Sequence, residues 1–254
     1  MFFPIKDNNP TRRPAIVTII FIALNILIYF FQTIAIPSEV SEAFNGRIDP
    51  LKYNIAKYAM VPKEVTHLKP YNRIIGRSKF GSVHTLERKT PVMLTLFFSL
   101  FMHGSFMHLF GNMIFLWIFG NNIEDYLGRF KFILFYLATG IIASLSHILF
   151  NWDSMIPVIG ASGAVSGVMG AYLILYPQKK VKTLVFVLIF ITFIDIPAAV
   201  FLVIWFLFQF SYSSADGVAF LAHIGGFIAG IILIKLWKKR KKPSIQERII
   251  EFIP

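Results

Sequence analysis

The chain alternates long uncharged runs with short blocks of charge, and the runs have the length a helix needs to cross a bilayer. At ~1.5 Å rise per residue, about 20 apolar residues cover a hydrocarbon core of ~30 Å. Six runs qualify: residues 14–36; a second starting at Val92 or Gly104 and ending at Phe119; 130–150; a short 162–176; one within 183–210, broken at Asp195-Ile196-Pro197; and 217–237. The pattern predicts an all-α integral membrane protein with a six-helix transmembrane bundle. The first run is too long for the apolar region of a signal peptide, and no small-residue cleavage site follows it, so it reads as a retained span.

Charge supplies the orientation. Of 25 Lys and Arg, 15 lie in the N-terminal stretch, the second and fourth connections and the C-terminal stretch. The other ten all lie in the long connection 37–91, and the third and fifth connections have none. Because long loops translocate largely regardless of charge, the short connections decide, and they put both termini in the cytoplasm. The organisation expected is a cytoplasmic tail 1–13, a membrane domain 14–237 containing the outer loop 37–91, and a basic cytoplasmic tail 238–254. The outer loop is too long for a bare linker and is expected to carry interfacial amphipathic helices, for example over 51–60. Basic clusters beside the spans also suit anionic lipid headgroups.

Composition then excludes whole classes. Apolar residues make up 56% of the 254 and charged ones only 15%, too few to cover a soluble surface. The net charge of +12 is absorbed by topology, which argues against a nucleic-acid partner. No cysteine is present, so there is no disulfide framework, thiolate nucleophile or Cys-based metal site. The metalloprotease signature HExxH is also absent.

Groups able to transfer protons are costly inside a bilayer, so those within spans are the functional candidates. They are His103, His108 and Asn112 in the second span, His147 in the third, Ser162 and Ser166 in the fourth, Asp195 in the fifth and His223 in the sixth. Ser162, His223 and His108 each lie about 18–21 Å of helix rise from the inner end of their span. All three therefore occupy one level, about 10 Å below the outer hydrocarbon boundary, with Asn112 one turn from His108 on the same face. Small residues surround them: Gly160, Gly163 and Gly167 about the fourth span, Gly226 and Gly230 in the sixth. Such faces allow two helices to touch closely, which would bring Ser162 within reach of His223. A serine becomes a nucleophile when a base takes its proton, and neutral histidine serves at neutral pH.

Taken alone, each feature has an ordinary explanation. A serine in a span usually bonds back to its own helix, Asn112 could be glue between helices, and His103 and His147 read as structural. Asp195 reads as a snorkelling or capping group beside Pro197.

Together, however, these residues resemble the rhomboid family of intramembrane serine proteases. The matching motifs are His108-x-x-x-Asn112, Gly160-Ala161-Ser162-Gly163 and Ala222-His223-Ile224-Gly225-Gly226, in the family's order. The opening Asp7-Asn8-Asn9-Pro10-Thr11 and the stretch from Ile196-Pro197-Ala198 to Trp205 are similar to bacterial members. The resemblance implies Ser162 as nucleophile, His223 as general base and then acid, and an oxyanion held by the Ser162 N–H with His108 and Asn112. It implies a Ser-His dyad without a carboxylate, no cofactor or metal, and single-span membrane proteins of the plasma membrane as substrates, cut near its outer face. Substrate entry past the fifth span, beneath the 211–216 loop, is a further expectation.

Two departures stand out. Where some rhomboids carry an aromatic residue stacked on the catalytic histidine, this chain has Ser166, and the first loop lacks the Trp-Arg pair of several members. The competing reading is a catalytically silent relative that binds membrane helices as a chaperone or trafficking factor, against which stands the retention of both Ser162 and His223. A transporter would show repeated halves or several intramembrane charges.

Overall fold

Five of the six apolar runs fold as helices over most of their length, while the fifth along the chain divides into a β-hairpin and a short helix. The computed structural model describes residues 2–43, 48–77, 83–187, 190–212 and 218–237. The basic tail 238–254, Asp216, Gly217 and most of the loop expected over the entry route lie outside them.

Helix α1 (Ile16–Ile34) is followed by three short helices, α2 (Ser38–Ala43), α3 (Pro50–Tyr58) and α4 (Pro62–His67). The expected helix over 51–60 is thus α3, started by Asp49, whose carboxylate accepts from the Leu51 and Lys52 N–H groups at 2.9 and 3.4 Å. Helix α5 (Val92–Phe98) continues as a 3-10 turn through Phe101 and is bent by 76° from α6 (Phe106–Leu127). The break lies at the second of the two starting points the sequence left open, Val92 and Gly104. Ser105 caps α6 by accepting from His108 N–H at 3.2 Å, and the helix runs past Phe119 to Gly128. There the positive φ of Gly128 turns the chain into α7 (Arg129–Phe150).

Helix α8 (Ser162–Leu175) is the centre of the bundle, buried without interruption from Gly163 to Tyr172. A helix apolar on every side has no solvent or lipid face and belongs where other helices surround it. Phe119 of α6 packs edge-on against its Tyr172 at 4.9 Å, while Phe21 of α1 reaches Tyr136 of α7 at 4.5 Å. Helix α10 (Phe220–Trp237) crosses α8 so closely that a Cβ on Gly226 or Gly230 would collide with the carbonyl of Gly163 or Gly167. The two small-residue faces do meet, as their spacing requires.

The fifth run corrects the all-α expectation. Residues Lys180–Val187 (β4) and Phe190–Pro197 (β5) pair as antiparallel strands, and only Ala198–Phe208 (α9) is helical, with a 3-10 turn to Ser211. Length and apolarity alone suggested a helix, but Val, Ile, Phe and Thr dominate both strands, and these favour a pleated backbone. The two-residue period is visible in β4, where Val181, Thr183 and Val185 are buried and Lys180 and Lys182 alternate with them. Asp195, expected at the end of a span, is an exposed strand residue opposite Lys182. The N-terminal segment supplies a third strand: Phe2–Asp7 (β1) pairs with β4, giving the order β1-β4-β5. This sheet lies along α6, with Phe3 stacked on Phe110 and the Asp7 carboxylate accepting from Asn122 and from Tyr172 Oη of α8. The connection 37–91 carries a second ribbon, β2 (Arg73–Arg77) with β3 (Val83–Leu86).

Among the described residues, Ile16–Ile34, Arg129–Phe150 and Phe220–Trp237 are each long and apolar enough to span a bilayer, and the bent pair α5–α6 makes a fourth. Helices α8 and α9 are shorter apolar helices.

Candidate active site

The chain entering α8 is held by two backbone hydrogen bonds just before Ser162 is reached. Val158 N–H donates to Met60 O of the connection 37–91 and Gly160 N–H to Ser99 O, both at 2.8 Å. Gly160 then adopts φ +130°, a conformation side-chain-bearing residues avoid, and a Cβ there would lie 2.8 Å from the ring of His108 and 3.4 Å from Ser162 Oγ. Glycine at this position lets the backbone slip between the two groups and start the helix on the serine. As the first helical residue, Ser162 has a backbone N–H without an intrahelical partner, at the positive end of the helix dipole.

The connection 37–91 braces this entry. Lys63 N–H donates to Ser154 O at 3.0 Å and Thr66 Oγ1 to Trp152 O at 3.1 Å. The loop is itself locked by a buried ion pair, Arg88 with Glu64, whose members also bind the Ala59 carbonyl and the Tyr71 N–H.

The structure brings Ser162, His223, His108 and Asn112 onto one cavity of about 730 Å³. They arrive from three separate helices, α8, α10 and α6. No hydrogen bond joins Ser162 to His223; the two side chains share the cavity wall instead. Asn112 is buried, and its Nδ2 lies 3.0 Å from Nε2 of the fully buried His103. An amide nitrogen only donates, so one N–H of Asn112 is committed to His103 and the other is free to meet a group in the cavity. His103 is fixed in turn by Gln32 of α1, whose side chain bonds both its N–H and its carbonyl. His147 also lines the cavity, from the end of α7. Ser166 lines the cavity as well, its hydroxyl donating to Ser162 O at 2.6 Å.

Two neighbours of His223 were passed over in the sequence. Gln209, only 3% exposed, sits on the turn after α9 with Oε1 at 2.7 Å from His223 Nδ1. The Trp205 ring lies 6.1 Å from the imidazole, providing the aromatic neighbour that position 166 does not. Gln32 and Gln209 carry amides, which exchange no protons and act only by positioning groups that do. A glutamine within an apolar run was the available signal.

The Rhomboid domain family model matches residues 91–240. The chain belongs to the rhomboid family. As a rhomboid with several bilayer-length apolar helices, it is an integral membrane protein. Relatives include Rhomboid protease GluP of Bacillus subtilis, 33% identical over 65% of this chain and 28% of that protein. Rhomboid protein 1, mitochondrial, of Saccharomyces cerevisiae is 29% identical over 58% of this chain and 44% of its own length. Presenilin-associated rhomboid-like protein A, mitochondrial, of Danio rerio is 26% identical over 58% of this chain and 40% of its own. This rhomboid therefore spans less than half the length of each of these relatives.

Proposed function

We propose that this rhomboid is an intramembrane serine endopeptidase that cuts single-span membrane proteins near the outer face of a plasma membrane. The observation that carries the reading is the convergence of Ser162, His223, His108 and Asn112 on one cavity from three helices. In this reading Ser162 Oγ attacks the scissile carbonyl while His223 takes its proton, and His223 then returns the proton to the leaving amine. The hydrogen bond between them forms as substrate aligns the serine, since such bonds commonly tighten only in the complex. The oxyanion is held by the Ser162 N–H at the N-terminus of α8, by the free N–H of Asn112 and by His108.

The same proposal includes six membrane passages, with α8 and α9 as short ones, and cytoplasmic termini. It keeps the boundaries 1–13, 14–237 and 238–254, with the strand 2–7 returning from the first segment to pack on α6. Because the substrate must present an extended peptide bond, segments with small or helix-breaking residues near the outer end of the span are preferred.

Labelling with a fluorophosphonate tests the nucleophile: wild type is expected to react and Ser162→Ala not to. Equal labelling of the two, or none of wild type, removes the assignment and favours a silent helix-binding protein. Cleavage of a reconstituted single-span substrate should likewise be lost in His223→Ala.

A further inference from the structure

We infer that Gln209 is the positioning residue of the dyad, selecting the tautomer in which His223 can act as a base. The inference rests on the dyad reading above and adds the group that does what a carboxylate does in a triad.

Gln209 Nε2 donates to Trp205 O at 2.9 Å, within its own helical segment. That bond fixes which end of the amide is which, so the oxygen faces His223 Nδ1 at 2.7 Å. An amide oxygen only accepts, so Nδ1 carries the imidazole proton. A neutral imidazole has one N–H, which leaves Nε2 with a lone pair. Nε2 lies on the far side of the ring from Gln209, and His223 shares its cavity with Ser162. In the other tautomer Nε2 would carry the proton and could not take one from serine, while Gln209 Oε1 would be left buried opposite a bare nitrogen.

Burial makes the selection strong. Gln209 is 3% exposed, so water does not replace its hydrogen bond to the histidine. The ring is also flanked by Trp205, from the same segment as Gln209. Residues 205 and 209 thus set both the plane and the proton of His223, and both come from α9 and its terminal turn rather than from the helix that carries the histidine. An amide differs from a carboxylate in one respect that matters: it orients the ring without a full negative charge to stabilise the imidazolium that forms during attack.

The test uses the full-length protein in liposomes with uniformly ¹⁵N-histidine-labelled samples. Solid-state NMR of wild type is expected to show the His223 Nδ1–H form, assigned by its loss in His223→Gln. Gln209→Met, which keeps the volume and removes the acceptor, is expected to shift the ring toward the Nε2–H form. An Nε2–H ring in wild type, or an unchanged Nδ1–H ring in Gln209→Met, overturns the inference whether or not the protein is a protease. Kinetics supply the second readout. Gln209→Met should lower kcat by about 10²-fold with KM little changed, the scale of a lost general base. Gln209→Glu should restore most of kcat and move the acid limb of the pH–rate profile upward, because a carboxylate favours the imidazolium. His108 from α6, His147 from α7 and Tyr212, the other titratable groups lining this cavity, are unaltered in both variants. An acid limb unmoved by Gln209→Glu overturns the assignment, whereas failure of wild type to label or cleave counts against the dyad reading alone.

Discussion

Asn112 reaches the cavity as a donor because His103, wholly buried behind it, takes one of its two amide hydrogens at 3.0 Å. A side chain held in this way meets a developing negative charge without reorganising, which is where electrostatic catalysis gains most. Asn112→Ala is therefore expected to lower kcat by about 10²- to 10³-fold, the range for loss of one oxyanion donor. His103→Ala should lower it less, and the double variant should be no worse than Asn112→Ala, because His103 acts through Asn112. Additive losses in a cycle measured with reconstituted substrate would show that His103 acts separately.

Gly160 is a point of close approach between the backbone and a site side chain. Gly160→Ala forces a Cβ to 2.8 Å from the His108 ring at a φ that alanine avoids. Activity is expected to fall below detection while the helical circular dichroism remains, because the strain is confined to the entry of α8. A variant with wild-type turnover would mean that this approach does not shape the site.

Glu124 ties α6 to the start of α1. Its carboxylate accepts from Val17 N–H, Thr18 N–H and Thr18 Oγ1 at 3.0, 2.8 and 2.8 Å, all buried. Removing it in Glu124→Ala strands the first amides of a helix away from water and is expected to destabilise the protein by about 3 kcal/mol. Thermal unfolding in detergent reads the effect, and Glu124→Gln should recover part of it.

The crossing of α8 and α10 is set by backbone contact. Gly230→Ala places a methyl group against the Gly167 carbonyl and should destabilise by about 1–3 kcal/mol or more. Gly111→Ala, where a Cβ meets nothing within 4 Å, is the matched control and should stay within about 0.5 kcal/mol of wild type in the same melt.

Asp7 offers a pH test. Burial pushes its carboxyl above the usual range, against the opposing effect of its bonds from Tyr172 and Asn122. A carboxyl whose folded pKa is raised favours folding most when protonated, and that contribution is lost as pH rises through the folded value. Asp7→Asn, which keeps an acceptor and cannot ionise, should thus be more stable than wild type at pH 7. The advantage should shrink as pH falls toward about 4, where the unfolded carboxyl also protonates. A difference that grows on acidification would reverse the assignment.

Periodicity, length and charge were sufficient for most of the helices, because a segment in lipid must satisfy its own backbone and so declares itself by a continuous apolar run. The same reasoning misread 183–197. A run of Val, Ile, Phe and Thr can satisfy its backbone with a neighbouring strand, and the neighbour here is its own hairpin partner and a segment from the other end of the chain. Pairing between residues so distant in sequence leaves no local signature, although the alternation Lys180-Val181-Lys182-Thr183 was there to be read.

The chemistry divides in the same way. The sequence by itself led to the expectation of a serine, two histidines and an asparagine at one depth beside glycine faces, because helix rise converts spacing into depth and glycine permits contact. Only the tertiary structure decided how those groups are held. His103 behind Asn112, Gln209 and Trp205 beside His223, and His108 against Gly160 are contacts between separate elements, and the amides among them carry no charge that a sequence would advertise. Depth is a one-dimensional quantity that a chain can specify along itself, whereas the orientation of a side chain depends on which neighbours the folded bundle places around it.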